Sequence, residues 1–129
     1  MNFEEQKPLI MAIDDSSYYL RDLEHEFNGK NVEFIGFQGP TAFEMEAKTD
    51  DINRAKLIIV DYDFKSCTAE DRDIPTYIRE MYPDFIGKIV LLTLLDDFLR
   101  GNKAIEEKFD AILSKRRDLT WEKIQAFVK

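Results

Sequence analysis

The stretch Leu57-Ile58-Ile59-Val60-Asp61-Tyr62-Asp63 limits the possible folds more than any other part of the chain, because branched apolar residues run directly into carboxylates. An apolar run of this length is too short for a buried helix, and its Ile and Val content favours a strand. No polar residue alternates with the apolar ones, so both faces of the strand must be covered, as in the middle of a parallel sheet. In open parallel sheets, ligands bind beyond the carboxyl ends of the strands. Asp61 is therefore expected at a functional edge.

The same pattern recurs along the chain. Leu9-Ile10-Met11-Ala12-Ile13 is a second short apolar run, and it ends in Asp14-Asp15. Ser16 or Ser17 is placed to cap a helix carrying Tyr19, Leu20, Leu23 and Phe27 at helical spacing, closed by Asn28-Gly29. Val32 to Phe37 reads as a strand. Gly39-Pro40 then opens a second helix near Thr41, with Phe43 or Met45 and Ala47 on its apolar side and an end left open around Thr49-Asp50-Asp51. Beyond the Asp61 strand, Lys65 to Asp73 form a polar loop. Ile74, Ile78 and Met81 mark the inward stripe of a third helix, with Pro75 in its first turn and Tyr82-Pro83-Asp84 at its end. Lys88 to Leu92 is a strand ending at Thr93. Leu94 to Phe109 is expected to hold a short or broken helix, because Gly101 falls inside it. Ala111-Ile112-Leu113 is the last strand, ending at Lys115, and Thr120 caps a helix with Trp121, Ile124, Phe127 and Val128 on its apolar side. Five strands alternating with five helical segments specify an α/β, three-layer α/β/α sandwich. Its five-stranded parallel sheet is expected in the flavodoxin-like order 2-1-3-4-5.

Size and charge narrow the function. A chain of 129 residues holds one domain with a real core, here expected to span 1–129. The net charge of -8 argues against direct nucleic-acid binding, and the small basic run Lys115-Arg116-Arg117 is followed at once by Asp118. No apolar run approaches the length of a membrane span, the first residues are polar and acidic, and Cys67 is alone, so a cytoplasmic setting without membrane contact is expected. Cys67 has no histidine suited to activate it, because His25 lies in the first helix.

Several strand ends carry residues with useful chemistry: Asp14-Asp15, Asp61, Thr93 and Lys115. Taken singly, each is an ordinary turn, cap or surface residue. In the 2-1-3-4-5 order the first and third strands are neighbours, so Asp14, Asp15 and Asp61 converge. Carboxylates crowded in one crevice call for a counter-ion, and a hard divalent cation such as Mg²⁺ takes oxygen ligands together with waters and a phosphate oxygen. Lys115 offers a positive charge and Thr93 a hydroxyl for a phosphoryl group, and an aspartate can itself accept that group. This chemistry points to phosphoryl transfer onto Asp61.

Over essentially its whole length the chain resembles the receiver domain of two-component response regulators, of the chemotaxis type. The matching residues are Asp14-Asp15 after the first strand, Asp61 after the third, Thr93 after the fourth and Lys115 after the fifth. The resemblance implies that a sensor histidine kinase or phosphotransfer protein phosphorylates Asp61. It implies Mg²⁺ held by Asp14, Asp15 and Asp61 with the backbone carbonyl of Asp63, and Thr93 and Lys115 binding the phosphoryl group. The altered surface would then engage a downstream protein or an output domain absent from these residues, with a homodimer as a further option. Such a chain receives a phosphoryl group, and sheds it in some cases, without being a dedicated enzyme.

Some positions depart from the family pattern. Leu94 is bulky where a small residue follows the threonine, and Ile112 stands at the aromatic switch position. Arg116 and Lys65 replace prolines. Leu94 is expected to obstruct access to Asp61 in part and to alter turnover of the phosphoryl group. These departures keep a second reading open, a degenerate receiver acting as an interaction module without phosphorylation. A third, an aspartate-nucleophile phosphatase of the haloacid-dehalogenase type, shares the Asp61-Tyr62-Asp63 spacing. Its nucleophile strand should come first, however, and its late acidic pair is missing.

Overall fold

The computed structural model of the chain describes residues 7–61, 74–94 and 99–128. Its centre is a five-stranded parallel sheet of β1 (Leu9–Ile13), β2 (Glu33–Phe37), β3 (Ala55–Val60), β4 (Lys88–Thr93) and β5 (Ala111–Ser114), in the order β2-β1-β3-β4-β5. The expected fold class and strand order are both observed. The helices are α1 (Ser17–Phe27), α2 (Pro40–Glu46), α3 (Thr49–Arg54), α4 (Ile74–Met81), α5 (Lys103–Glu106) and α6 (Trp121–Ile124), which runs into a 3₁₀ turn at Gln125–Phe127.

Alternation along the central strands explains their uninterrupted apolar runs, Leu9 to Ile13, Leu57 to Val60 and Ile89 to Leu92. Met11, Ile13, Ile58, Val60, Ile89 and Leu91 face one core, which Phe43, Ile52, Ile74, Ile78 and Leu99 fill from the other side. Ile10, Ala12, Leu57, Ile59, Val90 and Leu92 face a second core, closed by Leu23, Phe27, Ile124 and Val128 from α1 and the C-terminal segment. Burying each Leu or Ile side chain contributes roughly 1.5–3 kcal/mol, so both faces of the sheet hold the fold together. Aromatic edges add geometry to the packing: Phe37 meets Phe43 edge-on at 5.3 Å, and Phe27 meets Trp121 edge-on at 5.8 Å.

The structure settles two helical ambiguities. The segment after Gly39-Pro40 is two helices, because Ala47 and Lys48 are extended between α2 and α3. Phe43 supplies the buried contact while Met45 is exposed. In α4 the inward residues are Ile74, Pro75 and Ile78, whereas Met81, expected on that stripe, is 53% exposed. The period is the reason: Ile74 and Ile78 are four apart, and the next position on that line is Tyr82, which packs against the core. Beyond β4, Gly101 has φ +90°, and Asn102 caps the short α5 by accepting from the Ala104 and Ile105 N–H groups. Thr120 caps α6 as expected, accepting from the Lys123 N–H.

Candidate functional site

The candidate residues owe their positions to strand ends. β1 and β3 are in register through Ile13 and Val60, so Asp14 and Asp61 leave the sheet side by side. Backbone pairing continues past both strands: the Asp61 N–H donates to the Ile13 carbonyl at 2.9 Å, and the Asp14 N–H to the Phe37 carbonyl at 3.1 Å. These bonds satisfy the amides and fix where each carboxylate starts. Val60 pairs with Leu91, so β4 extends further and carries Thr93, which is buried. Thr93 pairs with Ser114, and its carbonyl accepts from the Lys115 N–H at 2.9 Å.

Lys115 draws this edge together. Its Nζ lies 2.7 Å from Asp14 Oδ2 and 3.3 Å from Asp61 Oδ1, with side-chain exposures of 3% for Lys115, 6% for Asp14 and 16% for Asp61. Taking a charge out of water costs several kcal/mol unless a partner offsets it. Here one cation lies between two anions. The other Asp14 oxygen, Oδ1, accepts from the Ser16 N–H at 2.8 Å. Ser16 occupies the cap position of α1 but makes no side-chain cap bond, so the carboxylate contact at the start of this helix comes from Asp14.

Tyr19 completes the surroundings of the ammonium. Its half-buried ring lies under Lys115, with Nζ 3.9 Å from the ring centroid. Its spacing alone predicts for Tyr19 only a place on the inward side of α1. The available signal was its spacing, since it follows Asp15 by about one helical turn.

Asp15 stands apart from this cluster. It is exposed, and its backbone carbonyl accepts from Gln38 Nε2 at 3.2 Å. Its carboxylate lies against Gly39, which has φ +99° and where an added Cβ would fall 2.7 Å from Asp15 Oδ1. The backbone conformation favours glycine there, and a larger residue would also displace the Asp15 carboxylate. Asp14, Asp61, Thr93 and Lys115 thus share one edge of the sheet, Asp15 lies at its rim, and Asp63 falls outside the described residues, as does Lys65.

The turn after Lys115 is built by hydrogen bonds. The Ser114 N–H donates to Asp118 Oδ2 at 2.8 Å, and the Asp118 N–H donates back to the Ser114 carbonyl at 2.7 Å. Arg116 donates its N–H to Ser114 Oγ at 3.1 Å and its guanidinium to the Leu94 carbonyl at 3.4 Å. Leu94 itself is exposed. Ile112 packs half-buried against the first core, and its carbonyl accepts from Arg100 at 3.1 Å.

As the side chains stand, no group of three or more His, Cys, Asp or Glu among the described residues is gathered as a metal cage. Lys115 is the cation between Asp14 and Asp61. The donors at this edge are nonetheless carboxylate oxygens, and Mg²⁺ is commonly held by one or two of these with waters and a phosphate oxygen. The donor set fits that ion once the ammonium yields the Asp14 oxygen.

No protein-family model matches the sequence, and no curated protein does. Solved structures do match. A response regulator receiver domain protein from Clostridium thermocellum superposes with a TM-score of 0.71 at 19% identity, covering 94% of this chain and 90% of that one. The BeF3-activated receiver domain of DrrB from Thermotoga maritima gives 0.69 at 17% identity, with 95% of each chain covered. A response regulator receiver protein from Pseudomonas putida gives 0.69 at 18% identity, over 96% of this chain and 97% of that one. These neighbours do not single out the chemotaxis type. The chain has the fold of response-regulator receiver domains.

Proposed function

We propose that this chain is a phosphoacceptor receiver. Asp61 takes a phosphoryl group from a partner histidine kinase or phosphotransfer protein, and the modified edge then alters a protein-binding surface. The observation that carries this reading is the buried Lys115 ammonium held between Asp14 and Asp61 at the carboxyl edge of a parallel sheet. An Asp61 carboxylate oxygen attacks phosphorus, the new O–P bond forms as the bond to the donor breaks, and the donor keeps the electron pair. Lys115 donates to a phosphoryl oxygen in exchange for its bond to Asp14, and the Thr93 hydroxyl donates to another. Asp14, Asp15 and Asp61, with the Asp63 carbonyl carried over from the family resemblance, would hold Mg²⁺. When bound, that ion neutralises charge on the phosphoryl oxygens. Residues 1–129 act as one signalling unit in the cytoplasm, not as a dedicated enzyme. Among the described residues no helix is long and apolar enough to cross a membrane.

A second reading, an interaction module without phosphorylation, is favoured by one observation: the Lys115 ammonium already offsets part of the charge of Asp14 and Asp61. Intact-protein mass after incubation with acetyl phosphate, with and without Mg²⁺, separates the two. The phosphoacceptor reading expects a Mg²⁺-dependent gain of one phosphoryl mass in the wild type and none in Asp61→Ala. No gain together with no Mg²⁺ binding would establish the interaction module instead.

A further inference from the structure

The contacts of Lys115 divide into two kinds. Its ammonium has three N–H donors. Asp14 Oδ2 at 2.7 Å and Asp61 Oδ1 at 3.3 Å are carboxylate contacts, and the Tyr19 ring at 3.9 Å is a π-face contact. A divalent cation competes for the first kind, because hard cations take oxygen ligands. A phosphoryl group also draws the ammonium away from carboxylate oxygens. Neither competes for the face of an aromatic ring, so only the Tyr19 contact keeps its partner unshared throughout.

We infer that Tyr19 is a positioning residue for phosphoryl transfer. Its ring face keeps the Lys115 ammonium at the acid edge while Asp14 and Asp61 turn to the cation and the incoming phosphoryl group. The inference rests on the phosphoacceptor reading of this same site. Local construction supports it. Asp14 accepts from the N–H of Ser16, the cap residue of α1, and Tyr19 stands in the first turn of that helix, so carboxylate and ring are set by one short piece of backbone. Tyr18 meets the Tyr19 ring edge-on at 5.3 Å and 84°, which steadies the ring plane. Without the ring, the ammonium keeps only its carboxylate contacts and rests on them, where it opposes cation entry.

The test compares Tyr19→Phe, which keeps the aromatic face and removes the hydroxyl, with Tyr19→Leu, which keeps apolar bulk and removes the face. If leucine is not accommodated, the more adaptable Tyr19→Met takes its place. Three quantities are measured on the full chain: the proton shift of the Lys115 ε-methylene, the Mg²⁺ dissociation constant by calorimetry, and the rate of labelling by acetyl phosphate. In wild type the ε-methylene resonance is expected upfield, displaced by the ring current, and in Tyr19→Leu it returns to the ordinary lysine position. From the strength of desolvated cation–π contacts, Mg²⁺ affinity and labelling rate each fall about tenfold in Tyr19→Leu and stay within about twofold in Tyr19→Phe. A folded Tyr19→Leu variant matching wild type in all three overturns the inference and leaves the phosphoacceptor reading standing. Equal impairment of Tyr19→Phe also overturns it, because the hydroxyl would then be responsible. A wild type that takes up neither Mg²⁺ nor a phosphoryl group overturns the phosphoacceptor reading and this inference with it.

Discussion

The two edges of the sheet carry the same ionic geometry in different surroundings. At the carboxyl edge, Lys115 bridges Asp14 at 2.7 Å and Asp61 at 3.3 Å. At the amino edge, Arg54 bridges Glu33 at 2.9 Å and Asp51 at 3.3 Å. Distances alone would give the two bridges equal weight. Burial separates them: the Arg54, Glu33 and Asp51 side chains are 27%, 42% and 26% exposed, whereas the Lys115 bridge is nearly shut off from water. An exposed pair contributes little, because water and salt screen it and long side chains lose freedom to form it. In a buried triad, removing one member leaves charges with neither partner nor solvent. The amino-edge bridge fastens the start of β2 to the end of α3. The carboxyl-edge bridge stores charge that a ligand can release.

The largest expected effect follows from removing the buried cation. Lys115→Met should lower stability by about 3 kcal/mol in urea unfolding, because it leaves Asp14 and Asp61 facing each other without a counter-ion. Added Mg²⁺ should recover part of that loss by taking over the ammonium's role. A loss no larger than that of an amino-edge substitution would collapse the contrast between the edges. A smaller effect is expected at the rim. Gly39→Ala combines φ +99° with a Cβ placed 2.7 Å from Asp15 Oδ1, so a loss of about 1–2 kcal/mol is expected by thermal unfolding. An unchanged midpoint would mean that Asp15 moves aside freely.

The smallest effect belongs to the exposed bridge. Arg54→Met should cost less than about 1 kcal/mol, and the difference from wild type should shrink as salt is added. The hydrogen bond that Arg54 donates to Glu33 holds the guanidinium pKa above its ordinary value. A raised folded-state value means that the contribution is fully present at neutral pH and fades only in strong alkali. Urea midpoints of both proteins at low and high salt check this, and a difference insensitive to salt would show the amino edge to be better shielded than its exposure implies.

The parts of the fold that could be read from sequence are those where one physical requirement acts alone. Ile10 to Ile13 and Leu57 to Val60 are apolar without interruption because each is covered on both sides, and that pattern has few solutions. The convergence of Asp14 with Asp61 followed from strand order. Three features were less legible because they depend on where neighbouring chain happens to lie. Whether Met45 or Phe43 turns inward, and whether Met81 or Tyr82 closes the α4 stripe, is decided by a few tens of degrees of helical phase. The break between α2 and α3 sits at Ala47 and Lys48, residues with no breaking tendency of their own. Tyr19 gained its role from Lys115, far away in sequence. Where Arg116 replaces a proline after the lysine, Ser114 and Asp118 brace the turn with reciprocal hydrogen bonds.

The placement of the acids also divides the site by timescale. Asp14 and Asp61 follow directly on β1 and β3, strands at the middle of the sheet whose residues are buried throughout except at Lys56. Amides in such strands exchange with solvent only through the rarest and largest openings of a protein. Lys115 instead follows β5, a four-residue outer strand in which Ala111, Ile112 and Leu113 are half-buried and Ser114 is buried. The anions thus follow the best-covered strands of the sheet and their cation follows a marginal one. Hydrogen exchange should therefore be faster at the β5 amides that lead to Lys115 than at the β1 and β3 amides that lead to Asp14 and Asp61.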